Sequence, residues 1–265
     1  MSPIRVAETI AQATRENRGV VVGYLPIGFP DLSTSVEAAV ALAEEGFDVL
    51  ELGVPYSDPV MDGPVISRST QRALEAGFKL RDLFPAIAEI TSCVSIPVLV
   101  MTYWNPVVQY GIERFTKDLV DSGASGLITP DLIPDEAGEW LEVSERLDAE
   151  RVFLAAPSSS DERLRRAIEV SKGFVYAVST MGITGARADV DEAAKSLVAR
   201  LRSLGADSVC VGLGISSGDQ VDEVLGYADG AIVGSALVRA LDEGGLDALR
   251  EVAAGLTKRS GLQAR

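Results

Sequence analysis

The stretch ELGVPYSDPVMDGP, residues 51–64, holds three carboxylates: Glu51, Asp58 and Asp62. Glu51 sits in a run, DVLELGV (48–54), that otherwise reads as a buried β-strand. A carboxyl group carried into apolar surroundings is desolvated. Its pKa rises toward neutrality, which suits a residue that both gives and takes a proton. The competing account is a structural glutamate neutralised by a buried Lys or Arg. No inward-facing basic partner is evident in the apolar runs of this chain. Asp62 lies in the segment beyond, where prolines at 55, 59 and 64 restrict the backbone and lower the entropy cost of holding a side chain in place. Two carboxylates at one mouth allow one to stay ionised while the other cycles. Asp58 reads better as a solvated aspartate or as a contact with a partner protein.

The chain contains no histidine. Serine-type triads and His-ligated zinc are therefore excluded, and no metal site is expected. Acid–base chemistry falls to carboxylates, tyrosines or lysines. The formal net charge of −15 argues against nucleic acid and anionic membranes as partners. No run approaches the roughly 20 apolar residues needed to span a bilayer. The N-terminus, MSPIRVAETIAQATRENRG, is polar and has no apolar signal core. Cys93 and Cys210 lie far apart, and Cys210, in SVCVG, reads as a reduced, buried thiol. A cytoplasmic location is expected.

The elements that must position these groups show a rhythm. Short apolar runs recur at 20–25, 48–54, 97–103, 126–131, 151–157, 174–179, 208–214 and 230–236. Each is near-continuously apolar, as parallel strands covered on both faces are. Amphipathic segments with helix signals lie between them: DLSTSVEAAVALAEEG, with Ser/Thr caps and a closing Gly46; PDEAGEWLEVSERL; SSSDERLRRAIEVSKG; DVDEAAKSLVARLRSLG. Eight strands alternating with helices predict a (β/α)8 TIM barrel, one domain over residues 1–265. A doubly wound sheet is set aside because GYLPIGFPD, after the first strand, lacks the G-x-G-x-x-G turn. Residues 4–17 read as an extra N-terminal helix covering the barrel bottom. Along DVLELGV, Leu50, Leu52 and Val54 share one face, and Val49, Glu51 and Gly53 share the other, which lines the barrel. Glu51 then points inward near the end of the barrel where active sites form.

Three later stretches suggest a phosphate cradle. STMGITGARADV (179–190) follows the sixth strand. GLGISSGDQV follows the seventh, and VGSALV, with Gly234 and Ser235 at a helix start, follows the eighth. Backbone N–H groups at such turns and helix N-termini hold an anion without side-chain charge. Ordinary glycine turns are the plainer alternative.

Taken together, these stretches resemble the tryptophan synthase alpha chain family. LELGVPYSDPVMDGP carries the resemblance, which continues in order and spacing through VMTYWNPV, YAVSTMGITGAR, GLGISS and VGSALV. It covers nearly the whole chain. The resemblance implies a (β/α)8 barrel that cleaves indole-glycerol phosphate to indole and glyceraldehyde 3-phosphate, a retro-aldol lyase reaction with no cofactor in this chain. It implies a beta chain as partner, a pyridoxal-phosphate enzyme that joins the indole to serine, in an alpha2-beta2 heterotetramer. By the resemblance, Glu51 protonates the indole ring carbon that bears the side chain, and Asp62 acts near the ring nitrogen. Tyr24 matches an aromatic wall position, and Tyr103 and Tyr176 match aromatic positions around the substrate or partner face. Gly182 and Thr184 fall in the family's mobile loop, where Thr184 matches a residue that bonds the catalytic aspartate on closure. Gly185, Gly214, Gly234 and Ser235 match the phosphate site. The chain departs from the family pattern at Met61, beside Asp62, at Thr180, where an arginine is expected, and at Leu213, where a phenylalanine often stacks near the indole.

The residues suit this chemistry independently. Protonating the indole ring carbon gives an iminium-like species whose side-chain bond can break. That needs a proton donor over the ring and a negative charge near the nitrogen, roles for an inward Glu51 and a loop-borne Asp62. A stand-alone lyase, a non-catalytic phosphate-binding regulatory subunit and a phosphosugar isomerase are the alternatives. The segment TYWNPVVQYG, after the third strand, is expected to be a mouth loop with exposed apolar residues. Trp104, Asn105 and Pro106 there, with Asp58, are expected to face the partner.

Overall fold

The computed structural model describes residues 3–178, 187–212 and 214–258, with residues 187–191 described as backbone only. Among the described residues, nine parallel strands build one sheet: β1 (Val20–Pro26), β2 (Val49–Gly53), β3 (Val98–Met101), β4 (Gly126–Ile128), β5 (Glu150–Val152), β6 (Leu154–Ala155), β7 (Val175–Val178), β8 (Val209–Gly212) and β9 (Gly230–Val233). Their order is β5-β4-β3-β2-β1-β9-β8-β7-β6. β5 and β6 are two halves of one strand position, parted only by Phe153. The two ends of the order therefore meet, and the sheet wraps into a (β/α)8 TIM barrel, as the eight apolar runs predict. Pairing carries on through the break, since the Tyr176 amide donates to the Phe153 carbonyl at 3.1 Å.

Eleven helices are described: α1 (Val6–Arg15), α2 (Leu32–Glu44), α3 (Pro64–Glu75), α4 (Leu83–Cys93), α5 (Trp104–Tyr110), α6 (Ile112–Asp121), α7 (Gly138–Arg146), α8 (Asp161–Val170), α9 (Arg187–Ser203), α10 (Gly218–Leu225) and α11 (Ser235–Thr257), the last broken at Gly245. At α2 the predicted Ser/Thr caps lie inside the first turn. Asp31 takes the cap, accepting the Thr34 amide at 2.9 Å. No helix of the described residues is long and apolar enough to cross a membrane.

Strand alternation divides the core in two. Leu50, Leu52 and Val54 pack in the layer between sheet and helices. Val20, Val22, Val49, Leu99, Ile128, Val152, Cys210 and Ile232 fill the barrel interior. Val6, Ile10 and Ala13 of α1 join that interior cluster, so the predicted extra helix plugs the barrel. The buried Glu150 carboxylate fastens it there, accepting the Val6 and Ala7 amides at 2.8 and 2.9 Å. These are free N–H groups at the N-terminus of α1, where a negative charge is favoured.

One segment differs from expectation. TYWNPVVQYG is not a loop with its apolar side chains in solvent. It forms α5, which ends at Gly111, where φ is 94°. Val107 and Tyr103 are buried, and Trp104 is half-buried against Trp140, with ring centroids 6.2 Å apart. Helical spacing turns these side chains inward together. Asn105 and Val108 are exposed, and Pro106 is half-buried.

Candidate active site

β2 carries Glu51 inward, level with Tyr24 on β1 and Leu99 on β3. The side chain is only 1% exposed, and its Oε2 has no hydrogen-bond partner. Desolvation raises its pKa to about 8. The buried basic partner that a structural role demands is not what shapes this carboxyl, since burial accounts for the shift.

Glu51 faces a cavity of about 400 Å³ at the C-terminal end of the strands. Tyr24 and Tyr176 form aromatic walls, with Met101, Leu154 and Ile232 as apolar surface between them. Such a wall suits a flat, largely apolar ring. Asp62 lines the same cavity from the segment between β2 and α3, just ahead of Gly63, the N-cap residue, and Pro64, the first helical residue. Its half-buried carboxylate accepts the Tyr103 hydroxyl at 3.1 Å. Burial raises the Asp62 pKa, and the Tyr103 bond opposes that rise. Both carboxyl groups suggested by the sequence thus meet in one space.

Part of the cavity lining is glycine-rich, formed by Gly212, Gly214, Gly234 and Ser235. Gly234 is the N-cap residue of α11 and Ser235 its first residue, so the free amides of that helix open at the cavity. Gly214 has φ 59°, a conformation that favours glycine. No Lys or Arg lines the cavity among the described residues. An anion there would meet amides rather than side-chain cations.

Tyr103 lies behind Asp62 rather than in the main cavity wall. Asp58 is exposed and bonds Ser57 Oγ at 2.6 Å. Exposed Asn105 donates to Tyr56 Oη at 3.3 Å. Thr180, Gly182, Thr184, Gly185 and Leu213 lie outside the described residues. The sequence reading missed Leu154 and Ile232, which inward alternation alone marks, and Tyr56, whose ring stacks on Tyr103 at 5.1 Å between centroids. It also missed Asp131, which accepts the Trp104 amide at 2.9 Å and anchors the start of α5.

The family model for the tryptophan synthase alpha chain matches residues 10–263. The chain belongs to that family. The alpha chain of Leifsonia xyli subsp. xyli is 66% identical over 254 residues, which cover 96% of this chain and 97% of that one. Tryptophan synthase of Mycobacterium tuberculosis, solved in space group F222, superposes with a TM-score of 0.91 at 49% identity, covering 96% of this chain and 97% of that one. A chain of the a2b2 complex of Pyrococcus furiosus tryptophan synthase, a structure concerned with mutual activation, gives 0.85 at 37% identity, covering 90% and 98%. Membership of the tryptophan synthase alpha chain family makes this chain an enzyme of tryptophan synthesis. Among the described residues no group of three or more Cys, Asp or Glu is arranged to hold a metal.

Proposed function

We propose that this chain cleaves indole-glycerol phosphate to indole and glyceraldehyde 3-phosphate, and that it does so as the alpha half of an alpha2-beta2 assembly. The observation that carries the reading is the pair of carboxyl groups on one cavity: Glu51, buried and unpaired at Oε2, and Asp62, held by Tyr103. Protonated Glu51 delivers its proton to the indole carbon that bears the side chain. The positive charge that develops at the ring nitrogen is offset by ionised Asp62. The bond from that carbon to the glycerol chain then breaks, and its electron pair returns to the ring. The adjacent hydroxyl becomes the aldehyde, and its proton restores Glu51. One proton is lent and returned, so the cycle needs no net acid or base. A pKa of about 8 leaves Glu51 protonated near neutrality, as a donor requires.

The phosphate belongs at the glycine-rich lining, against the amides of Gly234 and Ser235. The M. tuberculosis and P. furiosus proteins are tryptophan synthases, and the latter is an a2b2 complex. At 49% and 37% identity they support a beta chain as partner here; pyridoxal phosphate in that chain, and no cofactor in this one, is what the family resemblance implies. A cytoplasmic setting suits the two free cysteines, Cys93 and Cys210. The test is indole release from indole-glycerol phosphate by the purified chain, with and without a beta chain. Release that the beta chain accelerates is expected. No release under either condition rejects the reading, and release that the beta chain leaves unchanged favours a stand-alone lyase.

A further inference from the structure

Tyr103 ties the segment between β2 and α3 to the start of α5. Its hydroxyl accepts the Met61 amide at 2.8 Å and donates to Asp62 Oδ1 at 3.1 Å. Its ring stacks on Tyr56, with an interplanar angle of 29°. Its backbone is the N-cap of α5, whose first amide is pinned by Asp131. Tyr56 is held in turn, since its hydroxyl accepts from Asn105 Nδ2.

The polarity of these bonds is constrained. A backbone N–H can only donate, so the Met61 amide occupies a lone pair of the Tyr103 oxygen. The single phenol proton is then directed at Asp62. A protonated Asp62 that donated back would leave that buried phenol proton without an acceptor, at a cost. The arrangement therefore favours carboxylate over carboxylic acid and fixes where the carboxylate points. Asp62 needs this help, since half-burial works against its charge.

We propose that Tyr103, braced by Tyr56 and Asn105, is a positioning residue that keeps Asp62 ionised and aimed into the cavity. It acts through Asp62 and not by touching substrate. This rests on the reading of Asp62 as the fixed charge opposite the indole nitrogen.

The test is Tyr103→Phe, which keeps the ring and its stack and removes both hydroxyl bonds. Indole release is measured across pH for the natural chain and the variant, each with its beta chain. Loss of a hydrogen bond to a charged group should lower kcat about tenfold. KM should stay within about twofold, because no substrate contact is lost. The acid limb of the kcat profile, which follows Asp62 ionisation, should move to higher pH, since the bond that opposes protonation is gone. A raised KM with unchanged kcat would make Tyr103 a substrate contact and overturn the proposal. An acid limb that coincides with the natural one overturns it also, whatever happens to kcat. Should Tyr103→Phe fail to fold, Tyr56→Leu carries the same test: a lower kcat, an upward-shifted acid limb and an unmoved KM are expected, and an unmoved limb rejects the proposal. An inactive natural chain would reject the lyase reading itself. An active natural chain with an unmoved limb in the variant rejects only this inference.

Discussion

The ring of Tyr24 on β1 occupies the space beside Gly53 on β2 where a Cβ would stand. Tyr176 on β7 does the same over Gly212 on β8. In each pair the glycine lies two residues beyond the tyrosine's register partner, Glu51 for Tyr24 and Cys210 for Tyr176. Two residues is one side-chain repeat along a strand, so tyrosine and glycine face the same interior. Each missing side chain gives a phenol room to lie flat as cavity wall.

Gly53→Ala should therefore reshape the site without touching a carboxyl group. The new methyl must displace the Tyr24 ring, and overpacking of this kind costs about 1–3 kcal/mol. A lower urea midpoint and a raised KM for indole-glycerol phosphate are expected. Unchanged KM with Tyr24 in place would show that the wall tolerates a Cβ.

Glu51→Gln should reduce turnover at least about a hundredfold, the low end of general acid–base effects. The same variant should alter how stability depends on pH. Folded Glu51 keeps its proton up to about pH 8, whereas the ordinary value is 4.5. Between these values the folded state binds more protons than the unfolded one. Stability therefore falls as pH rises through that window, by up to about 1.4 kcal/mol per pH unit from this group. An amide at this position does not titrate and removes that slope. The variant should therefore gain on the natural chain as pH rises, in denaturant midpoints read side by side. Parallel curves for the two proteins would mean that Glu51 is ionised in the fold.

Asp62→Asn should cripple turnover and leave binding of a non-reacting indole-alkyl phosphate nearly intact. The substitution leaves the glycine-rich lining and the tyrosine walls of the cavity unaltered, and the lost charge matters most in the transition state. Calorimetric titration with such an analogue separates the two effects. A variant that no longer binds it would give Asp62 a ground-state role.

Asn105→Asp combined with Pro106→Ala should weaken activation by a beta chain. These residues lie on the outer part of α5, beside exposed Val108. Indole release is followed while the beta chain is titrated in, and the fold-activation at saturation is compared. A double variant activated as strongly, and at the same beta-chain concentration, would move the contact away from α5.

Parts of this molecule are decided locally and were legible as such. The continuous apolar runs dictate parallel strands covered on both faces, and period-two alternation alone puts Glu51 inside and Leu50 and Leu52 outside. The absence of histidine restricts the acid–base groups before any fold is known. Gly234 and Ser235 announce a helix start, and α11 begins there. Each of these depends on a residue and its near neighbours, which is why periodicity and turn chemistry suffice.

Other features exist only once the barrel closes. The bond from Tyr103 to Asp62 joins residues 41 apart in sequence, and the one from Asn105 to Tyr56 joins residues 49 apart. No local pattern signals either, because each depends on how two βα connections lean together over neighbouring strands. TYWNPVVQYG read as an exposed apolar loop because its shortness and its proline hid a two-turn helix, and its inner face is buried only by tertiary packing, with Trp104 against Trp140, Tyr110 against Phe84 and Phe115, and Val107 in the core. Tyr24 and Tyr176 come to one cavity from strands far apart in the chain. The sequence by itself determined which titratable groups are available and which way they face along each strand. The tertiary structure decided how deeply Glu51 is desolvated and what holds Asp62, since desolvation and long-range hydrogen bonds are properties of the closed barrel.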